Sequence, residues 1–121
     1  MSRSLTTIKL LKAAGLPTHR RPTTPGEVIE EEFLSPMSLS QTALARAMKI
    51  PTQRLNLIIR GKRAVTPDTA LRLSQCLGAS IQFWLNLQHA VDLWDAISTQ
   101  RVEAIAKLPR LRSQNSPAAT I

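Results

Sequence analysis

Residues 40–61 read Ser40-Gln41-Thr42-Ala43-Leu44-Ala45-Arg46-Ala47-Met48-Lys49-Ile50-Pro51-Thr52-Gln53-Arg54-Leu55-Asn56-Leu57-Ile58-Ile59-Arg60-Gly61, and this stretch decides the fold. Ser40 is a natural N-cap, because its side-chain oxygen can satisfy one of the N–H groups that a helix start leaves without a partner. Behind it Leu44, Ala45 and Met48 fall on one face at helical spacing. Lys49-Ile50-Pro51 interrupts that helix, and a second one follows and closes at Gly61. At about 100° per residue, Leu55, Ile58 and Ile59 of the second helix cluster on one side. Gln53, Asn56, Leu57 and Arg60 occupy the opposite side, with Thr52 and Arg54 on its flanks. One side is built to be buried and the other is left available, joined to the preceding helix by a very short turn.

Outward from this unit, proline and glycine punctuate the chain into further short helices, with no alternating apolar and polar run that calls for a strand. Thr24-Pro25-Gly26-Glu27 predicts a helix start, with Thr24 as N-cap, Pro25 at the first position and Glu27 completing a capping box. That helix is expected to end near Ser35, ahead of Pro36. Thr66-Pro67-Asp68 repeats the start signal, Ala70, Leu73 and Leu77 supply a buried stripe, and Gly78 supplies the stop. Ser80 caps a longer helix in which Phe83, Leu87, Val91, Trp94 and Ile97 recur at three- and four-residue spacing, ending somewhere between Thr99 and Leu108. Phe83, Trp84, Leu87, Val91 and Trp94 are assigned to core or a dimer seam, since a stripe at helical spacing fills a core more often than it builds a ligand cage.

The predicted fold is therefore all-α: a five-helix, helix-turn-helix domain over residues 22–108 with flexible tails. Residues 1–21 are expected to be a basic, flexible arm, and residues 109–121, rich in Ser, Pro and Ala, a disordered tail. A lesser alternative is that Leu5, Ile8 and Leu11, with Lys9 and Lys12, form a helix on a partner.

Charge narrows the partner. Sixteen Lys and Arg against eight Asp and Glu give a net charge of +8 on 121 residues, which points to a polyanion, either nucleic acid or a membrane surface. The distribution says more than the sum. Residues 25–37 carry Glu27, Glu30, Glu31 and Glu32 and no base. Residues 38–77 carry Arg46, Lys49, Arg54, Arg60, Lys62, Arg63 and Arg72 against Asp68 alone. The basic surface thus lies on the helix pair that decides the fold.

The free side of the second helix has the chemistry of base recognition. A helix fits the major groove of B-DNA, where Gln and Asn pair bidentately with adenine, Arg with guanine, and an apolar side chain meets the thymine methyl group. Thr52, Gln53, Arg54, Asn56 and Leu57 are the candidates for base edges, because the first residues of such a helix go deepest. Arg60, Lys62 and Arg63 are the candidates for phosphates. Gln41 joins them, placed in the first turn of its helix where free N–H groups already favour an anion.

Other chemistries lack their parts. His19 and His89 have no partner pattern for acid–base or nucleophilic work, and neither paired carboxylates, zinc-ligand spacing nor a phosphate-cradling glycine loop is present. No enzyme, metal or cofactor is expected. Cys76 stands alone, which suits a reducing, cytoplasmic compartment. No apolar run approaches the roughly 18 residues of a membrane span.

Ser40-Gln41-Thr42-Ala43-Leu44-Ala45-Arg46 followed by Gly61-Lys62-Arg63 resembles the phage-repressor (XRE/Cro) class of helix-turn-helix domains. Arg21-Pro22-Thr23-Thr24-Pro25-Gly26-Glu27, Asp68-Thr69-Ala70-Leu71-Arg72-Leu73 and Phe83-Trp84-Leu85-Asn86-Leu87-Gln88 narrow it. Together, over about residues 21–95, these resemble the HigA-type antitoxins, also described as VapI-like addiction-module antidotes. The resemblance implies a homodimer that binds a palindromic double-stranded DNA operator, represses its own operon and, in many members, neutralises a RelE-like ribonuclease toxin. It maps the DNA-facing positions onto Gln41, Thr52, Gln53, Arg54 and Asn56. Pro51 departs from the pattern, standing where related domains often place a Ser or Thr cap that is worth about 1 kcal/mol. The alternatives are a module that masks a toxin with little DNA binding, and an orphan regulator without a toxin.

Overall fold

A computed structural model describes residues 3–99 and 102–112. All the regular secondary structure among the described residues is helical, and each start signal read from the sequence is a helix start. Helix α1 spans Leu5–Ala13. Helix α2 runs as Pro25–Val28, widens to a π-helix over Ile29–Leu34 and closes with Ser35–Met37. The helix-turn-helix is α3, Gln41–Met48, and α4, Thr52–Ile59. Helices α5, Pro67–Leu77, α6, Ile81–Thr99, and α7, Val102–Ala106, follow.

The caps act as their chemistry dictates. Thr24 Oγ1 accepts from the Glu27 amide at 3.1 Å, and its hydroxyl donates to the Glu27 carboxylate at 3.2 Å. Ser40 Oγ accepts from the Ala43 amide, Thr66 Oγ1 from that of Thr69 and Ser80 Oγ from that of Phe83. Gly78 ends α5 at φ 89°, a left-handed conformation that favours glycine.

Burial then holds helices that are too short to persist alone. Val28, Ile29 and Leu34 of α2, Leu44, Ala45 and Met48 of α3, Leu55 and Ile58 of α4, Ala70 and Leu73 of α5 and Trp84 of α6 form one buried cluster. A fully buried side chain of this size contributes roughly 1.5–3 kcal/mol, more than the spread of helix propensities among ordinary residues, so packing decides. Phe33 and Phe83 lean on Trp84 with ring centroids at 5.7 and 5.2 Å.

Three expectations meet a different outcome. Where a flexible arm was expected over residues 1–21, residues 5–13 form α1, which packs on α6 and α7 through a second small core of Leu11, Ile97 and Val102. Arg3 stacks over the Trp94 ring at 4.6 Å and donates to Ser98 Oγ and the Thr18 carbonyl. Trp94 Nε1 donates to the Pro17 carbonyl at 3.0 Å. The helix pattern around Leu5, Ile8 and Leu11 thus finds its partner within the chain, and among the described residues seven helices stand where five were expected. The C-terminal tail expected over residues 109–121 is described only to residue 112, and its remainder lies outside the described residues.

Second, α2 does not stop before Pro36. The π-helical turn shifts the hydrogen bonding, so that the Ser35 amide donates to the Glu30 carbonyl, and Pro36 falls in the first turn of a new α-helical segment, where its missing N–H costs nothing. Third, the proposed core stripe of α6 divides. Trp84 and Val91 are buried and Leu87 and Trp94 half-buried, but Phe83 is 39% exposed because Trp84 takes the position facing the core.

Candidate nucleic-acid interface

The turn between α3 and α4 is closed from both sides. Lys49 ends α3 in the left-handed region at φ 58°, and the Ile50 amide donates to the Ala45 carbonyl at 3.0 Å, turning the chain sharply while the Ile50 side chain is buried. Pro51 begins α4 with no side-chain cap, leaving the Leu55 amide to reach the Pro51 carbonyl at 3.3 Å. Leu55 and Ile58 anchor the helix, being 0% and 2% exposed, so α4 forms without its cap because its inner face is locked into the core. Ile59 is half-buried against the same cluster.

At its other end α4 is braced by α2. Gly26 lies so close to α4 that an added Cβ would meet the carbonyl oxygens of Ile58, at 2.6 Å, and Ile59. Only glycine permits this approach.

The outer side of α4 gathers most of the proposed readers. Thr52, Gln53, Asn56, Leu57 and Arg60, with Gln41 from the start of α3, line one open depression of about 560 Å³. Thr52, Gln53, Leu57 and Arg60 are exposed, and Asn56 is half-buried. Asn56 Nδ2 donates to Gln41 Oε1 at 3.1 Å, which links the two helices across the groove between them. Lys62 and Arg63 are exposed just past the end of α4, beside Arg21 and Asp95.

Arg54 departs from this set. Its Nη2 donates to Thr69 Oγ1 at 2.7 Å and to Asp68 Oδ2 at 3.2 Å, turning the side chain onto α5 and away from the depression. Asp68 also accepts from Arg72 Nε at 3.0 Å, and Arg72 Nη1 donates to the Met48 carbonyl at the end of α3. The Arg72 and Arg54 guanidinium groups, Arg72 foremost, hold the Asp68 carboxyl below its ordinary range. The first turn of α5 is thereby a bracket that fixes α3 and α4 relative to each other. Of this bracket only the Asp68–Arg72 spacing of four residues was visible in the sequence; Thr69, 1% exposed, gave no signal.

Away from the depression, Arg21 makes a bidentate pair with Asp95 at 2.6 and 2.9 Å, which lowers the Asp95 pKa and raises that of Arg21. His19 and His89 are exposed on the surface. Among the described residues no cluster of His, Cys, Asp and Glu could hold a metal, and no helix is long and apolar enough to cross a membrane.

A family model described as helix-turn-helix matches residues 31–84. Virulence-associated protein I of Dichelobacter nodosus is 51% identical over 57% of this chain, an alignment that spans 64% of that protein's length. Antitoxin HigA-1 of Vibrio cholerae is 40% identical over 85% of this chain and 97% of its own. Among solved structures, the antitoxin GraA in complex with its operator superposes with a TM-score of 0.70 at 44% identity, over 81% of this chain and 99% of its own. Similarity of this extent and identity is that of common descent: the chain belongs to the HigA family of helix-turn-helix antitoxins.

Proposed function

We propose that this protein is a sequence-specific repressor of the antitoxin type, which lays α4 in the major groove of an operator and thereby represses its own operon. The observation that carries the reading is the outer side of α4, where polar readers and one leucine stand exposed above a helix anchored by Leu55 and Ile58. GraA, of the same fold, is a protein bound to its operator. In this reading Thr52, Gln53, Asn56 and Leu57 meet base edges, while Gln41, Arg60, Lys62 and Arg63 hold phosphates. Arg54 braces α4 on α5 instead of reaching a base.

The acting species is a homodimer in the cytoplasm, reading two half-sites about 34 Å apart on a palindrome. The antitoxin names of the relatives support a second partner, a RelE-like ribonuclease that the protein neutralises.

A mobility-shift titration on duplex from the protein's own upstream region tests the DNA reading. If six to ten phosphates are contacted, affinity falls roughly 10³ to 10⁵-fold between about 50 and 200 mM salt. Binding that ignores salt, or that survives Gln53→Ala with Asn56→Ala unchanged, removes the proposal. Light scattering reads the dimer, and co-purification with the product of the neighbouring gene reads the toxin.

A further inference from the structure

The Arg21–Asp95 pair lies outside the reading depression but shares a wall with it. Arg60 lines the depression that holds Gln53 and Asn56, and the same Arg60 lines a neighbouring cleft with Arg21 and Lys62. A second cleft brings Arg21 together with Lys62, Arg63 and Asp95. Arg21, Arg60, Lys62 and Arg63 therefore converge at the C-terminal end of α4. The backbone ahead of α2 is fixed there, because Gly26 abuts the Ile58 and Ile59 carbonyls and keeps the start of α2 on α4.

Among the described residues Arg60, Lys62 and Arg63 have no carboxylate partner, and all three are exposed. Arg21 is the one of the four that is paired, by both oxygens of Asp95 at 2.6 and 2.9 Å. Glu27 and Asp92 border the same clefts but are bonded to Thr24 and Gln88. The pair with Asp95 is open to water, its two side chains 42% and 41% exposed. A pair so exposed holds by no more than about fivefold. A contact to a DNA phosphate releases a condensed counterion and is about eightfold tighter at 0.1 M than at 1 M salt, before its bidentate hydrogen bonds are counted. In that competition the phosphate takes the guanidinium.

We infer that Arg21 is a further phosphate-binding residue and Asp95 its latch. In the free protein the carboxylate holds the guanidinium against α6; on the operator the guanidinium turns from Asp95 to the DNA backbone beside Arg60 and Lys62. The inference rests on the major-groove reading of α4, and extends the footprint from the helix-turn-helix to the segment ahead of α2. Asp95 is then a brake on affinity that is blind to sequence, because a phosphate contact carries no base information.

The test is mobility-shift titration of the full chain on duplex from its own upstream region and on an unrelated duplex, at salt from about 50 to 200 mM. Wild type, Arg21→Ala, Arg21→Lys, Asp95→Asn, Asp92→Asn and the double variant Arg21→Ala with Asp95→Asn are compared, with thermal melts to show that each is folded. Each phosphate contact adds about −0.9 to the slope of log affinity on log salt, or about 3.5-fold over that interval. For a homodimer with two Arg21 side chains, wild type should lose about twelvefold more affinity over the interval than Arg21→Ala. Arg21→Lys keeps the charge and should keep the slope. Asp95→Asn should bind both duplexes more tightly, by up to about fivefold per subunit. Asp92→Asn removes the same charge from the same cleft but frees no arginine, and should gain less. In the double variant the gain from Asp95→Asn should shrink to that of Asp92→Asn.

A pair that serves only the fold gives the opposite sign: Asp95→Asn then weakens binding as Arg21→Ala does, and that result overturns the inference. So does Arg21→Ala with the salt slope of wild type, or an equal gain from Asp95→Asn and Asp92→Asn. If Arg21→Ala does not fold, the Asp95→Asn and Asp92→Asn comparison decides by itself. Wild-type binding that ignores salt, or no binding to the upstream duplex, defeats the major-groove reading itself, and the role of Arg21 with it.

Discussion

Gly26→Ala sets two effects of opposite sign against each other. Gly26 is helical, in the first turn of α2, and alanine is preferred to glycine inside a helix by about 1 kcal/mol. Helix propensity alone therefore makes the substitution stabilising. Against this, the new Cβ would stand 2.6 Å from the Ile58 oxygen and 2.7 Å from the Ile59 carbonyl carbon, some 0.8 Å inside ordinary van der Waals contact. Those atoms are backbone, held by the last turn of α4, and they do not rotate aside. Relief requires α2 to lift from α4, loosening Val28 and Ile29 from the core. Overpacking of this kind costs typically 1–3 kcal/mol and, with rigid neighbours, more. The strain wins, and a net loss of about 1–2 kcal/mol is expected. Urea unfolding should show it as a lower midpoint with an unchanged slope, equivalent to a fall in Tm of roughly 4–8 °C per kcal/mol. Operator affinity, measured where the variant is fully folded, should also drop, because the C-terminal end of α4 is displaced. A Gly26→Ala protein as stable as the parent, or more so, would show that α2 does not touch α4 as described.

Leu55→Ala removes the fully buried anchor of α4 and should destabilise by about 2–5 kcal/mol in chemical unfolding, the range for large-to-small changes in a core. Leu11→Ala should loosen α1 from α6 and α7 while the main core stands. Its readout is tryptophan emission moving to the red as the half-buried Trp94 gains water, and an unmoved spectrum would contradict the packing of α1. Asp68 is a carboxylate with a lowered folded pKa, so the stability it confers is present above the ordinary carboxylate range, near pH 4, and is lost as pH falls through its lowered value. Asp68→Asn should accordingly be less stable than wild type at pH 7 and approach it as the pH falls through the lowered Asp68 pKa, in parallel urea titrations; a constant difference across that span would contradict the bracket around Arg54 and Arg72.

The amino-acid sequence by itself determined the helices of the central unit, because caps and apolar spacing act within a few residues: Thr24, Ser40, Thr66 and Ser80 each bond an amide three residues on, and Leu55 and Ile58 face inward as their angular spacing demands. It determined as well that Gln53, Asn56, Leu57 and Arg60 share a side. What only the tertiary structure decided is which distant group claims a side chain. Arg54 has the chemistry of a base reader, yet Asp68 and Thr69 on α5 take it; the basic segment before residue 22 has the composition of a loose arm, yet Trp94 and Leu11 fasten it. Trp84 and Phe83 are adjacent aromatics, and packing alone chose which is buried. Periodicity records the face of a helix on which a residue lies, and a long flexible side chain on the edge of that face is settled by partners that lie far along the chain.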